Sequence, residues 1–468
     1  MNKKGLLGGV GIVVVAAALI GPRFAGSQVE DTLKQHVEAL NNVPAYTAQV
    51  VSFDRGWFGS TATVELGVDF SGAFPEAEQS EELSFEVVID VQHGPVLTQF
   101  SPGLGLASLE ASSKDEGLRE FLDWEDETPF YHMVGSVGFS GTFSYSDSIS
   151  SFTLVPNDAR QQISVSRYEG SGEVSSDSFS YEGVLEGAEV LMEVQAVSVG
   201  EMKVRTEAKG DLLSIMQGGL YESEMSMQLE KVTARSPDDV DFFNLEELDV
   251  EAISAFSDNE KHMNVDMNYS MKSFMFGDTH LENLVVNMAF NNLDAEFLRA
   301  YNQTMQTIYD QGPDEMEAAT EKLVKDSLPQ LLKAEPEFVV SEFSGQMEPG
   351  NFEGDLSAKL VGVAQVPDNL DDIRFWLSSL IADASLTVDK PLLKWLAEQQ
   401  LLSTMRMQYP GDEAEMQKMA EQQAPMMINM YLQQGLLTET EDDYRSEFQM
   451  EGGEAMLNGQ KVPLGNMM

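Results

Sequence analysis

Few residues of this chain have the types and the spacing that catalysis requires. Zinc hydrolases of the HExxH type need two histidines four residues apart on one helical turn, with a glutamate beside the first. No two histidines of this chain stand four residues apart; they are His36, His93, His132, His262 and His280. The chain contains no cysteine, which also excludes thiol catalysis and zinc–thiolate sites. The sequence therefore predicts neither a metal site nor a cofactor.

One stretch resembles the turn that presents a serine nucleophile in many hydrolases. In Gly138-Phe139-Ser140-Gly141, however, the next residue is Thr142, where that motif needs its second glycine. We interpret the stretch as a strand followed by a turn, without a catalytic role.

Paired carboxylates are the second pattern with hydrolytic potential, because two acids flanking a sugar bond can cleave it. Asp123, Glu125 and Asp126 form one such group. With 78 Asp and Glu residues in a chain of 468, groups of this kind arise by chance on a solvated surface. We therefore predict that the protein is not an enzyme, and a polysaccharide hydrolase that uses paired carboxylates is only our third hypothesis.

The chain is strongly acidic, with 28 Lys and Arg against 78 Asp and Glu and a formal net charge of −50 at pH 7. Affinity for nucleic acids depends on basic side chains that contact phosphates. We therefore expect no nucleic-acid partner. The apolar share of 42% and the charged share of 23% are those of a folded globular protein.

The N-terminus has the pattern of a segment that directs export. A stub with two lysines, residues 1–4, precedes an uncharged and mostly apolar run over residues 5–22. As a helix this run is about 27 Å long, enough for a slightly thinned bilayer, and the lysines orient the stub toward the cytoplasm. We predict a transmembrane signal-anchor over 5–22 and a periplasmic body over 23–468. A cleaved signal peptide is the alternative, because small residues follow at 25–27.

Alternation of apolar and polar residues predicts β-strands through most of the body, for example over 61–70, 83–92, 263–271 and 286–290. Such strands have one dry and one wet face, which is typical of antiparallel sheets. The sequence has no GxGxxG or P-loop motif, so a nucleotide-binding α/β fold is not expected. We predict an α+β fold dominated by strands, with a long antiparallel meander sheet that has one apolar face and with residues 23–292 mainly in strands.

Helical periodicity is concentrated in residues 293–468, where we expect helices and strands to mix. Apolar stripes predict helices that pack on the dry face of the sheet, one beginning after Asp294 and the others over 314–333, 367–380, 391–408 and 412–434. Pro329 is expected to kink the second of them. Strands are predicted at 384–388, 444–450 and 454–462.

The last predicted helix is rich in methionine, with Met416, Met419, Met426, Met427 and Met430. Thioether side chains adapt to apolar partners of variable shape. These five residues are therefore a candidate adaptable apolar surface. Methionines that fill an irregular core give the same pattern, and that is the more common arrangement.

Two short motifs flank the first pair of predicted strands. In the first, Arg55, Gly56, Trp57 and Phe58 lead into the strand, and the glycines at 56 and 59 permit a turn that aims two aromatic rings. Exposed rings would contact lipid or a partner, whereas buried rings would plug the end of the core, which is the arrangement that we expect.

The second motif, His93-Gly94-Pro95, closes the next strand. Pro95 cannot donate a hydrogen bond to a β-ladder, so it marks a turn or an edge. We expect His93 to stabilise this turn by hydrogen bonding and not to act as a catalytic base.

The lysine-flanked apolar start and these two motifs, in this order, resemble the YdgA/YihF family of Gram-negative envelope proteins. The helix at 297–301, the strand at 384–388 and the stretch Leu457-Asn458-Gly459-Gln460-Lys461 are similar to that family in order and spacing. The family is associated with the inner membrane and the periplasm and has no assigned enzyme activity. The resemblance therefore implies a single-pass inner-membrane protein with most of its chain in the periplasm, and it implies no chemistry.

These patterns lead to a ranked set of functions. The first is a non-enzymatic periplasmic envelope protein, anchored by residues 5–22, that binds a lipid, another hydrophobic ligand or a partner segment on the apolar face of the sheet. The alternative is a protein–protein adaptor or scaffold of an envelope complex without a ligand cavity. The expected partners are the inner membrane and either lipid or another envelope protein, and a homo-oligomer is compatible with the sequence.

Overall fold

The computed structural model describes residues 46–462 apart from 70–81, 114–115, 156–160, 212–213, 216–218, 237, 239, 258–259, 312–315, 364, 368, 371 and 409–411, and a few positions between 34 and 41. The predicted signal-anchor over 5–22 lies outside the described residues. Within the described part of the chain, no helix combines the length and the apolar character needed to cross a membrane.

The chain forms two compact units. The N-terminal unit extends to Asp241 and includes Tyr301–Met316, and the C-terminal unit comprises Phe242–Ala300 and the residues from Glu317 onward.

The N-terminal unit is built almost entirely of antiparallel strands. They are β1 (Tyr46–Arg55), β2 (Gly59–Asp69), β3 (Glu82–His93), β4 (Val96–Leu97), β5 (Gly103–Leu104), β6 (Ala107–Ser113), β7 (Leu122–Trp124), β8 (Tyr131–Val137), β9 (Phe143–Ile149), β10 (Phe152–Leu154), β11 (Gln161–Val165), β12 (Tyr168–Val174), β13 (Ser178–Leu185), β14 (Ala188–Met192), β15 (Gln195–Val199), β16 (Met202–Lys209) and β17 (Glu222–Arg235). A 3₁₀ helix at Glu116–Glu120 lies between β6 and β7.

The strands of this unit pair in the order β1-β2-β3-β6-β8-β9-β12-β13-β16-β17. The long strand β17 pairs first with β16 and then with β15, from which the pairing continues through β14, β11 and β10 to β7. Backbone hydrogen bonds, such as that from Ser166 N to Gly187 O at 2.9 Å, continue the ladder where strands are interrupted. The sheet is therefore continuous across these breaks.

The predicted alternation of strands β2 and β3 is confirmed by their burial. Val64 of β2 and Val87 of β3 pair directly and are at most 1% exposed, whereas Thr61 and Glu65 on the opposite face of β2 are exposed. Val88, which breaks the alternation, is 39% exposed on the wet face. Each strand therefore has one dry side, which packs in the core of the N-terminal unit.

The C-terminal unit carries a second antiparallel meander together with helices. Its strands are β18 (Asp241–Ser257), β19 (His262–Phe276), β20 (Thr279–Asp294), β21 (Glu337–Met347), β22 (Gly350–Leu360), β23 (Leu380–Asp389), β24 (Thr438–Glu439), β25 (Asp443–Glu451), β26 (Glu454–Leu457) and β27 (Gln460–Val462). They pair in the order β18-β19-β20-β21-β22-β23-β25-β26-β27, and β24 pairs with β25.

The α-helices of the described chain are α1 (Ala295–Gln311), α2 (Met316–Asp326), α3 (Leu328–Lys333), α4 (Ile373–Ser379), α5 (Lys390–Gln408) and α6 (Glu413–Gln433). Aspartates cap three of them, because a carboxylate accepts hydrogen bonds from the first free N–H groups of a helix. The Oδ1 of Asp294 accepts from Phe297 N at 2.8 Å, and that of Asp412 accepts from Ala414 N at 2.8 Å. Asp372 caps α4 in the same way.

The coarse prediction is confirmed: the chain is dominated by strands, with a long antiparallel sheet and helices toward the C-terminus. Two predicted helices differ in detail. The helix expected over 314–333 is divided into α2 and α3 at Ser327, because the ring of Pro329 clashes with the carbonyl one turn earlier and ends the first helix. The helix expected over 367–380 begins only after Asp372, since this aspartate caps the first turn.

An aspartate at either member of the Val64–Val87 pair should destabilise the N-terminal unit by several kcal/mol, because it places an unpaired charge in the core. Thr63→Asp is the matched control on the other face of β2 and should be near neutral. Urea denaturation followed by circular dichroism measures both effects. Equal losses from the two faces would show that β2 is buried on both sides.

Candidate functional site

One face of the C-terminal sheet is apolar across six neighbouring strands. Three rows of the pairing register, read from β18 to β23, define what we term the apolar face: Val250, Tyr269, Val286, Phe343, Gly354 and Leu386; Ala252, Met267, Met288, Val340, Leu356 and Ala384; and Ser254, Val265, Phe290, Phe338, Ala358 and Ala382. In these rows the only polar groups are the hydroxyls of Ser254 and Tyr269. Strand spacing and residue rise make the apolar face about 24 Å wide and about 14 Å long.

The apolar face is not fully buried, although its composition is that of a core. Ala382 is the only residue of the three rows that is buried, and Phe343 and Leu386 are 40% and 41% exposed. The corresponding dry face of the N-terminal sheet is closed, since Val64, Ile89 and Leu109 are 0% exposed. The same alternation thus gives a filled core in one unit and a half-covered apolar surface in the other.

The opposite face of the C-terminal sheet is polar and makes hydrogen bonds along its own surface. Asn268 Nδ2 donates to Glu251 Oε2 at 2.8 Å, and Asn287 Nδ2 donates to Glu342 at 3.1 Å. Polar side chains that are paired in this way stabilise a solvated face. The register therefore gives this sheet a wet side and a dry side, as the sequence predicts.

The methionines of helix α6 are divided between two environments. Met416 is 7% exposed and packs against α5, and Met427 is half-buried in the contact of α6 with α5. Met419, Met426 and Met430 are 44%, 62% and 46% exposed. Their spacing of seven and four residues places these three on one side of the helix. Three of the five methionines are thus exposed on one side of α6, and the other two fill the core between α5 and α6.

The two sequence motifs of the N-terminal unit meet at one end of its sheet. His93 N donates to Phe58 O at 2.9 Å, which joins the end of β3 to the turn between β1 and β2. A cleft of about 620 Å³ opens between them, lined by Arg55, Gly56, Trp57, His93, Gly94, Pro95, Gly105, Leu106 and Phe139. Residues that lie some forty positions apart in the sequence therefore share one concave surface.

The expectation that Trp57 and Phe58 plug the core is wrong. They are 95% and 85% exposed. The last paired residues of this hairpin are Arg55 and Ser60, and Gly56 N donates to Gly59 O at 2.8 Å to close the turn. The two rings therefore lie beyond the end of the sheet, where no core exists for them to enter.

His93 and Pro95 occupy the turn that the sequence predicts. Strand β3 ends at His93, and Pro95 lies between β3 and β4. The Nε2 atom of His93 is 3.4 Å from Ser60 Oγ. Burial, and to a smaller degree the charge of Arg55, lower the pKa of His93, which favours the neutral imidazole. This environment suits a hydrogen-bonding group in a turn.

The carboxylates that could serve hydrolysis lie on the surface. Asp123, Glu125 and Asp126 are exposed, and Asp126 forms an ion pair with Arg119 at 3.0 Å. No group of three or more His, Asp or Glu side chains is arranged for a metal ion in the part of the chain that the structure describes. Asp123, Glu125 and Asp126 are therefore part of the solvated surface.

Among the described residues, the most deeply buried carboxylate lies in a tyrosine cluster of the N-terminal core. Asp147 on β9 is 4% exposed, and Tyr181 donates to its Oδ1 at 3.3 Å. Tyr168 and Tyr181 hydrogen-bond through their hydroxyls, while the buried hydroxyls of Tyr131 and Tyr145 have no partner among the described residues. Burial raises the pKa of Asp147 to about 6, and the hydrogen bond from Tyr181 opposes that shift.

Glycines make room for the tyrosine rings of this cluster. Gly170 and Gly183 pair across β12 and β13. A Cβ on Gly170 would collide with the Tyr181 hydroxyl, and one on Gly183 would collide with the Tyr168 hydroxyl. The sequence contains this arrangement as a short echo, Tyr-Glu-Gly at 168–170 and again at 181–183. That echo is the signal from which the cluster could have been found.

Comparisons with known proteins agree with the sequence motifs. The family described as "Bacterial protein of unknown function (DUF945)" matches residues 1–465. The chain belongs to the DUF945 family. This DUF945 chain is also 22% identical to Protein YdgA of Escherichia coli (strain K12) over 496 residues, which cover 99% of the chain and 95% of that protein. No solved structure matches it. The resemblance to the YdgA family is thus confirmed.

Asp147 should make the stability of this DUF945 protein depend on pH. Its folded-state pKa lies above the ordinary value of 3.8, so the folded chain holds this proton more tightly than the unfolded chain. The contribution of Asp147 to stability is therefore most favourable below about pH 4 and declines as the pH rises through about 6. Asp147→Asn should raise the free energy of unfolding by up to about 3 kcal/mol near pH 7.5 and change it little near pH 4.

The exposed Asp123 on β7 is the matched control, and Asp123→Asn should give the same small effect at both pH values. Urea denaturation of parent and variants at the two pH values measures the difference. A benefit of Asp147→Asn that is equal at both pH values would contradict a raised pKa.

Proposed function

We propose that this member of the DUF945 family is a non-enzymatic envelope protein that holds a lipid or another elongated hydrophobic ligand on the apolar face of its C-terminal sheet. The observation that carries the proposal is the incomplete burial of that face. Its rows contain Val, Leu, Met and Phe across six strands, and all but one of its residues retain exposed surface. Large exposed apolar patches in soluble domains mark binding sites.

The energy available at such a face is sufficient for binding a lipid. Covering on the order of 300 Å² of apolar surface contributes about 8 kcal/mol at ~25 cal/mol per Å². Association and ordering of the ligand offset several kcal/mol of that gain. The balance corresponds to weak or moderate affinity, which suits a protein that takes up a ligand and releases it.

The composition of the apolar face suits ligands of variable shape. Met267 and Met288 are direct cross-strand neighbours at its centre. Unbranched thioether side chains change rotamer at little cost and contact many apolar shapes. Acyl chains that differ in length and unsaturation are ligands of this kind.

The proposal places the protein at the inner membrane. Two lysines before an apolar run support a single-pass anchor over residues 5–22 with the stub in the cytoplasm and residues 23–468 in the periplasm. An anchored protein of this orientation faces the lipids of the envelope directly. A reporter enzyme fused after residue 468 should show its activity on the periplasmic side of the inner membrane and not in the cytoplasm. Reporter activity in the cytoplasm would contradict the orientation.

Binding of a fluorescent fatty acid such as parinaric acid to the purified full chain tests the ligand. Replacing Met267 and Met288 together by glutamine keeps their shape and adds two polar groups to the apolar face, so the affinity should fall about tenfold. Met407→Gln is the matched control, because it makes the same chemical change at an exposed position of α5, outside the apolar face and the methionines of α6. Circular dichroism confirms that each variant is folded.

Mass spectrometry of lipids that copurify with the chain gives an independent readout. We expect less bound lipid in the double variant Met267→Gln/Met288→Gln than in Met407→Gln. If neither measurement detects a ligand on the parent chain, the apolar face packs against protein, and the adaptor hypothesis replaces the lipid hypothesis.

A further inference from the structure

A second surface, at one end of the N-terminal sheet, exposes apolar side chains that the proposed function does not use. It is formed by Trp57, Phe58, Val96, Leu104 and Phe139, which are 95%, 85%, 60%, 71% and 63% exposed. We term this set the aromatic tip. Trp57 and Phe139 line the cleft between the two sequence motifs, and Val96 pairs directly with Leu104.

The backbone places these residues side by side. His93 N donates to Phe58 O, Gly94 N donates to Leu106 O at 2.7 Å, and Leu106 N donates to Val137 O at 2.8 Å. The turns that follow β1, β3 and β8 are thereby joined in one row at the same sheet end. The aromatic tip is consequently one surface with a rigid hydrogen-bonded base.

Acidic residues are absent from the three stretches of chain that form this end. Acidic residues make up one residue in six of the chain, yet residues 55–64, 91–109 and 128–146 contain no Asp or Glu. At that frequency these stretches would hold about eight acids. The nearest acids, Asp54 and Asp90, flank two of the stretches and line a neighbouring cavity that shares Arg55 and Gly56 with the cleft. A molecule with a net charge of −50 therefore has an apolar end that is poor in acids.

We propose that the aromatic tip inserts into the interfacial region of a phospholipid bilayer. Tryptophan and phenylalanine beside glycine and proline turns are suited to the headgroup region, where an apolar ring meets a polar boundary. A bilayer with anionic lipids repels acidic surfaces, so an end that is poor in acids can approach it more closely than the rest of the molecule.

Arg55 extends the match to the headgroups. It lines the cleft beneath Trp57 and Phe139 and is the only Lys or Arg within the three acid-free stretches. A guanidinium forms strong bidentate hydrogen bonds with phosphate. In the inserted state the rings lie among the glycerol and upper acyl groups, while Arg55 binds a lipid phosphate. This inference is independent of ligand binding on the apolar face.

Site-specific fluorescence tests the insertion on the full chain. Because the chain has no cysteine, Ser140→Cys carries a single environment-sensitive dye beside Phe139 and leaves every tip side chain in place. Glu127→Cys is the matched control, since it is exposed in the loop at the other end of β8. Vesicles of phosphatidylethanolamine and phosphatidylglycerol carry a nitroxide quencher on the acyl chain. We expect lipid-borne quenching at position 140 to be at least about threefold stronger than at 127.

The double variant Trp57→Ser/Phe58→Ser, made in the Ser140→Cys background, should lower the quenching at position 140 to the level found at position 127. The control is Val155→Ser/Val194→Ser, which changes two exposed valines outside the tip and should leave the quenching at position 140 unchanged. Arg55→Gln should reduce quenching, and it should do so most strongly with phosphatidylglycerol, whose phosphate has no ammonium group of its own to neutralise it. Two results would overturn the proposal. One is equal quenching at positions 140 and 127. The other is dye emission at position 140 that shifts to that of an apolar environment when the protein concentration is raised in the absence of vesicles. Such a shift would identify a contact between copies of the chain.

Discussion

The constraint on which this molecule depends is the period of two in its strands. Alternating apolar and polar side chains give an antiparallel sheet one apolar face. Because exposure of apolar surface to water is unfavourable, other parts of the protein or a bound partner must cover that face. In the N-terminal unit the stretch around the 3₁₀ helix helps to close it, since Leu118 is 0% exposed and Trp124 is 5% exposed within the core. In the C-terminal unit the pairing of six strands produces an apolar face that retains exposed surface. The functional proposal follows from this difference.

The acidity of the chain and its apolar surfaces are consistent with each other. A net charge of −50 keeps copies of the protein apart in solution, which allows apolar surfaces to stay exposed without aggregation. Charges are placed on the wet faces, as in the ion pair of Lys209 with Glu222 at 2.8 Å, whereas the stretches that carry Trp57, Phe58 and Phe139 hold no acid and one base, Arg55. Charge distribution thus separates the surfaces that face water from those that face apolar partners.

Much of the local structure could be predicted from the sequence, because strand alternation and helix capping are local effects. The strands around Val64 and Val87 and the cap at Asp294 are examples. The exposure of Trp57 could not be predicted, because it depends on where the hairpin pairing stops. Cross-strand register is a non-local property and is visible only in the folded chain. The row that joins Met267 to Met288 is one example, and the contact of Asp147 with Tyr181 on another strand is a second.

The central claim is that the apolar face of the C-terminal sheet is a ligand surface. Photo-crosslinking of the full chain with a palmitic acid analogue that carries a diazirine near its methyl end, followed by peptide mapping, tests it most directly. The account predicts that the label enters strands β18 to β23 at residues of the apolar face, such as Val286, Met288 and Val340, and that unlabelled palmitate competes for it. Labelling confined to the exposed methionines of α6, or labelling without competition, would contradict the account.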